Sequence, residues 1–293
     1  MESRPRGVAL VFVTEPRLEH EGERFRSIYE QLEFKTYLHQ RFSRDAIFAE
    51  LTMMAQSKGK YAGKYKGDAF IMMFIGHGVD EKIIGWLEQP QWPPADDTVL
   101  PIRDIVDMFS EKKCRALRQK TKMFIFNCCR EKLDEADVQL SGAPPINTGG
   151  LCAKCQGPTG ETTKVDTLAT LDPTWKQQNK QTHVIYACAE GSNAWFQEFP
   201  GTAIGHASVF GQAFSHTIAQ YAGYKSLYQL ICMTVKRSEE ESERIYQEFL
   251  KTNPSQEELE EMGDPVRRPE IRMFAVDKDV FFNPGLFRDD HDD

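Results

Sequence analysis

Four continuous apolar runs constrain this chain most: Val8-Ala-Leu-Val-Phe-Val13, Ala69-Phe-Ile-Met-Met-Phe-Ile75, Lys122-Met-Phe-Ile-Phe126 and His183-Val-Ile-Tyr-Ala-Cys188. A strand with one wet face alternates apolar and polar residues. These runs do not alternate, so each reads as a strand covered on both faces, the habit of parallel sheets. Helical patterns lie between them. Glu21–Glu33 carries Phe25, Ile28, Tyr29 and Leu32 at helical spacing, Ser43 caps a helix that opens at Asp45, and Ile102–Phe109 reads as helical. Phe34–Leu38 reads as a short strand. Phe210, Phe214 and Ile218 form a further helical stripe, Ser226–Phe249 a long helix that Gly263–Pro269 breaks, and Ile271–Phe282 a final strand or hairpin. Strands alternating with helices predict an α/β sandwich with a mostly parallel sheet.

Composition changes between Glu131 and Gln181, where Gly, Pro, Thr and Gln cluster without periodicity. About fifty unpatterned residues inside a compact domain point to a linker or processing loop. The expected organisation is therefore a first segment over 1–130, a linker over 131–181, a second segment over 182–284 and an acidic tail over 285–293. The chain has 293 residues and a formal net charge of −8. That balance argues against a nucleic-acid partner, which needs a basic face. No apolar run is long enough to span a membrane, and the polar start running into Val8–Val13 does not read as a secretory signal. Seven cysteines, an odd number with two adjacent, suit reduced thiols in a cytoplasmic protein better than a disulfide framework.

In open parallel sheets the chemistry sits in loops at the carboxyl ends of the strands. Gly76-His77-Gly78 and Asn127-Cys128-Cys129-Arg130 both fall there. A thiol needs help to ionise at neutral pH, and an imidazole supplies it and later protonates a leaving amine. Cys129 is thus the expected nucleophile and His77 its partner. Backbone N–H groups of Gly78 and Cys129 are the expected oxyanion donors. The two side chains lie 52 residues apart (129 − 77), near the spacing of about 50 found in caspases.

Around these positions the sequence resembles the caspase family. Lys113 through Arg130 looks like the caspase segment leading into its Gln-Ala-Cys-Arg-Gly signature. Phe74-Ile-Gly-His-Gly78 looks like the Ser-His-Gly strand end, and Ile83-Ile-Gly-Trp86 like the family's next stretch of chain. The resemblance covers roughly residues 7–130 and 182–284. It implies a three-layer α-β-α sandwich, an endopeptidase acting on protein substrates without cofactor or metal, and a zymogen without a recruitment domain. It also implies self-cleavage in the linker, a homodimer through the final strand, and a place in apoptotic or inflammatory signalling.

The departures from the family bear on specificity. Asn127 stands where caspases have Gln, Cys128 where they have Ala, and Glu131 where they have Gly. The resemblance places Asn127 and Arg17 in the pocket for a substrate aspartate. The stretch Ala189–Phe199 after Cys188 holds no arginine, and the pattern Cys188, Gly191, Ala194 looks more like paracaspases, where a nearby acid binds a basic side chain; Glu198 is the candidate for that acid. Asp137, ending Asp134-Glu-Ala-Asp137, and Asp166 are the expected processing sites for aspartate cleavage, while Lys132, Lys154 and Lys164 offer basic ones. Three readings stay open: cleavage after Asp, cleavage after Lys or Arg, and a pseudoenzyme that regulates other proteases. Cys152 and Cys155 form half a zinc site at most, and no calcium site is evident.

Overall fold

The computed structural model describes residues 1, 3–63, 66–133, 173–199, 202, 204–262 and 268–282. Its elements run β1 (Gly7–Val13), α1 (Glu19–Gln31), β2 (Phe34–Gln40), α2 (Arg44–Ala55), β3 (Ala69–Ile75), β4 (Gly78–Val79), β5 (Lys82–Ile84), β6 (Val99–Pro101), α3 (Ile102–Met108) and β7 (Thr121–Asn127). Further along come α4 (Pro173–Gln178), β8 (Thr182–Tyr186), β9 (Phe196–Phe199), β10 (Gly205–Ser208), α5 (Val209–Tyr221), α6 (Leu227–Leu250), α7 (Gln256–Met262) and β11 (Glu270–Phe274).

The apolar runs form one six-stranded sheet of order β11-β8-β7-β3-β1-β2. Neighbours are parallel except β11, which runs antiparallel to β8. Every residue of β1, β3 and β7 is buried, because each strand is covered on both faces. Phe12, Phe74, Phe124 and Tyr186 face α2 and α3 on one side, with Ile47, Leu51 and Ile105. Val11, Met73, Ile125 and Ile185 face α1, α5 and α6 on the other, with Phe25, Phe214 and Leu230. The result is an α/β sandwich of three layers, α-β-α. Segments 1–130 and 182–284 contribute strands to the same sheet. Edge strand β2 is only partly buried, and its Lys35 points into solvent.

Local chemistry sets the helix starts. Ser43 accepts from Ala46 N–H at the head of α2, Ser208 from Gly211 N–H at α5, and Ser226 forms a capping box with Gln229 at α6. Each cap satisfies backbone donors that a helix leaves unpaired. Among the described residues, no helix is long and apolar enough to cross a membrane.

Several elements differ from the sequence expectation. Part of the expected linker is ordered: α4 buries Trp175 edge-on against Phe274, with ring centroids 5.2 Å apart. The expected closing strand stops at Phe274. The chain then turns, and Phe281 bridges back to Ser226 while Val280 and Phe282 fill the core. A small sheet of β4, β5 and β6 and a hairpin of β9 and β10 lie beyond the two strand ends of interest. Their short strands carry no period for a sequence to display.

Phe124 packs against Phe70 and Phe109, with centroids 5.9 and 5.7 Å away. Phe124→Ala is expected to lower unfolding stability by about 3–5 kcal/mol, read from the midpoint of chemical denaturation. His183 is buried, and burial holds its imidazole down at about 4; an unfolded histidine titrates near 6.5. As pH falls through that window, the unfolded chain takes up a proton that the folded chain refuses. Stability should therefore decline from about pH 6.5 toward 4, and His183→Asn should flatten the slope in a thermal-melt series across the upper part of that range.

Candidate active site

Sheet register builds the site. The last paired residues of three adjacent strands are Val13, Ile75 and Asn127, aligned side by side. The ladder extends slightly further: Thr14 N–H donates to Ile75 O at 2.9 Å and Gly76 N–H to Asn127 O at 3.1 Å. Two residues beyond each last pair stand Glu15, His77 and Cys129. Parallel strands in register deliver all three to one row at the carboxyl edge.

The loops carrying His77 and Cys129 pass in close contact. A Cβ on Gly78 would lie 2.6 Å from the Cys129 carbonyl oxygen and 2.7 Å from the Cys128 sulfur. Only glycine lets the backbone approach this closely. Beyond it, Asp80 N–H donates to Glu131 O at 2.9 Å, closing the second loop against the first.

The adjacent cysteines have opposite environments. Cys128 is buried, and burial pushes its thiol well above the ordinary cysteine value, with the neighbouring sulfurs of Cys188 and Cys129 adding to the effect. It has no thiolate to offer. Cys129 is partly exposed, with its sulfur 3.8 Å from the Ala194 carbonyl oxygen. Ala194 lies just before β9, so the segment from β8 to β9 folds over the Cys129 loop.

His77 is half exposed, and its Nε2 donates to Glu15 Oε2 at 2.8 Å. Glu15 is buried and also accepts from Arg17 N–H at 3.0 Å and Arg17 Nε at 2.8 Å, both on Oε1. Burial pushes this carboxyl up, but the hydrogen bonds from His77 and Arg17 outweigh it and hold the group well below the usual carboxylate range. Glu15 is therefore an anion that can only accept, and the Nε2 proton belongs to His77.

The expected pocket residues are spread unevenly. Arg17 is exposed at its tip, and its guanidinium sits 5.3 Å from the centroid of the Phe196 ring in β9. Asn127 is buried. Its Nδ2 donates to Glu21 Oε1 and to Ser208 Oγ, each at 2.7 Å, so both amide hydrogens point inward. Glu21 also accepts from Ser208 N–H at 2.7 Å and Ser208 Oγ at 2.8 Å. Burial pushes its carboxyl up while these hydrogen bonds pull it down, and burial prevails. Glu198 is exposed on β9, opposite His206 across the hairpin. Asp137, Asp166, Cys152 and Cys155 lie outside the described residues. Among the described residues, no group of three His, Cys, Asp or Glu side chains could hold a metal ion.

Sequence reasoning misses Glu15, Glu21 and the role of Arg130. Glu21 carries a signal, because it sits four residues before Phe25 on the apolar stripe of α1. Arg130 is fully buried. It donates from Nε to Glu81 at 2.7 Å and from Nη1 to Glu270 at 2.6 Å and to the Cys188 carbonyl at 3.1 Å. Its guanidinium also lies 3.8 Å from the Tyr186 ring centroid. Glu270 opens β11, so this side chain ties the Cys129 loop to the sheet edge.

The fold is that of the caspase-like cysteine peptidases. The family model described as the caspase domain matches residues 18–258, and the chain belongs to that family. Among solved structures it is similar to caspase-1 from Spodoptera frugiperda, at 14% identity and a TM-score of 0.62, over 96% of this chain and 93% of that one. At that identity the likeness speaks to the fold alone. No curated protein matches.

Arg130→Ala would remove the nearer cation of buried Glu81 and leave it only Arg272, whose Nη1 is 3.9 Å away. The expected cost is about 3–5 kcal/mol, measured as a shifted denaturation midpoint. Arg130→Lys should recover little, because an ammonium cannot span Glu81 and Glu270 as a planar fork does.

Proposed function

We propose that this chain is a cysteine endopeptidase in which Cys129 is the nucleophile and His77 the acid and base. The observation that carries this reading is the delivery of His77 and Cys129 to one sheet edge, with Cys129 accessible while its neighbour Cys128 is sealed. His77 takes the Cys129 thiol proton as the sulfur attacks the scissile carbonyl carbon, and the oxyanion takes hydrogen bonds from the backbone N–H groups of Gly78 and Cys129. His77 gives a proton to the leaving amine as the carbon–nitrogen bond breaks. A water molecule then enters, His77 removes its proton, and the resulting hydroxide releases the acyl group from sulfur.

Cleavage after aspartate is the favoured specificity. Arg17 supports it, as a partly exposed cation beside β9 and within reach of the same edge. Arg17 is already matched by Glu15, and the Asn127 amide is turned inward. These two facts favour a second reading, cleavage after Lys or Arg, with exposed Glu198 as the acid. The linker between the two segments, holding Asp137 and Asp166, supports activation by self-cleavage. The remaining edge of β11, with Met273 exposed, supports pairing with a second copy. None of the five described cysteines is in a disulfide, which suits a cytoplasmic enzyme of cell-death or inflammatory signalling.

Cys129→Ala should reduce peptide hydrolysis to background, and survival of full activity would remove Cys129 from the mechanism. A fluorogenic panel with Asp, Lys or Arg before the bond separates the two specificities. Intact mass after incubation should show a cut after Asp137 or Asp166 in the wild-type chain and none in Cys129→Ala. Absence of all cleavage and of labelling by a peptide warhead would leave the pseudoenzyme.

A further inference from the structure

Glu15 is the group the proposed mechanism leaves unused, and its placement is specific. It lies in the same row as His77 and Cys129, two residues past the end of β1. Its Oε2 accepts from His77 Nε2 at 2.8 Å, while Oε1 is fixed by two donors from Arg17. The carboxylate is nearly out of solvent, whereas the imidazole it holds is half exposed. The anchored partner is thus Glu15, and the positioned one is His77.

Which imidazole nitrogen carries the proton is set by the hydrogen bond the other makes. An anionic Glu15 requires a proton on Nε2, so the singly protonated ring carries its lone pair on Nδ1. We propose that Glu15 is a positioning residue, completing a Cys129–His77–Glu15 triad by fixing the tautomer and ring orientation of His77. This rests on the peptidase reading for its catalytic consequence, but its structural content does not. The residue anchoring Glu15 is Arg17, which also stacks on Phe196 of β9. A substrate group engaging Arg17 would therefore act on the same carboxylate that sets His77.

The test uses the full chain and the variants Glu15→Ala, Glu15→Gln and Glu15→Asp. Two readouts are taken: kcat and KM on the best peptide of the panel, and the His77 tautomer from nitrogen-15 chemical shifts. Loss of an orienting carboxylate in a comparable triad costs up to about 10⁴-fold, and a more exposed site should lose less. The expected result is a fall in kcat of at least about 30-fold in Glu15→Ala, with KM within about threefold, and part of the loss restored by Glu15→Asp. Glu15→Gln, which keeps an acceptor but no charge, should fall between. In Glu15→Ala the His77 ring should shift from the Nε2–H form to a mixture of tautomers. An unchanged kcat, a rise in kcat, or an unchanged tautomer in Glu15→Ala would overturn the proposal. If the wild-type chain cleaves no peptide, the peptidase reading fails, while the tautomer readout still decides whether Glu15 sets His77.

Discussion

The parallel register of β1, β3 and β7 is the constraint on which the rest depends. One-residue slippage in any pair would turn that strand's side chains over and bury the wrong set. Because both faces of these strands are packed, the register is held by two hydrophobic layers at once. Glu15, His77 and Cys129 inherit their placement from that register, and the Glu15–His77 hydrogen bond then fixes the imidazole within it. Each sits two residues beyond its last ladder pair, close enough to be aimed by the sheet and far enough to leave it. Helices α1 and α5 then close the floor through the Glu21, Asn127 and Ser208 network.

Arg130 adds a second, electrostatic fastening. Its guanidinium is desolvated, and such a charge is tolerable only where partners surround it. Glu81, Glu270, and the Tyr186 ring with the Cys188 carbonyl supply them from three different parts of the chain. The hydrogen bonds are charge-assisted and directional, so the loop after Cys129 is held from both sides. The same cluster includes Arg272, which donates to Glu270 Oε1 at 2.6 Å. Loop, central strand and edge strand thereby share one set of charges.

Much of this is legible in the sequence, for identifiable reasons. Fully buried strands announce themselves as unbroken apolar runs, so β1, β3, β7 and β8 can be read nearly to the residue. The Ser43 and Ser226 caps carry their own local chemistry. His77 and Cys129 stand out because each closely follows an apolar run, and His77 has glycine on both sides. Glu15 does not stand out, because a carboxylate in Thr14-Glu-Pro-Arg17 looks like any solvated loop charge. Only the neighbouring strand, about sixty residues away in sequence, gives it meaning. Helix α4 is hidden for the opposite reason. Its six residues are too few for a period, and Trp175 is ordered by Phe274 from the far end of the chain. Short strands such as β4 and β9 are likewise fixed by partners rather than by their own pattern.

Cys128 and Cys129 differ by nothing but one position in the chain. Where the strand gives out, one sulfur is buried and its neighbour is partly exposed. The first becomes a space-filling atom and the second stays accessible. Chemical identity at this site is therefore a property of backbone parity rather than of residue type. A single residue inserted in β7 would carry Cys128 into the place Cys129 now holds and Cys129 into the buried place of Arg130.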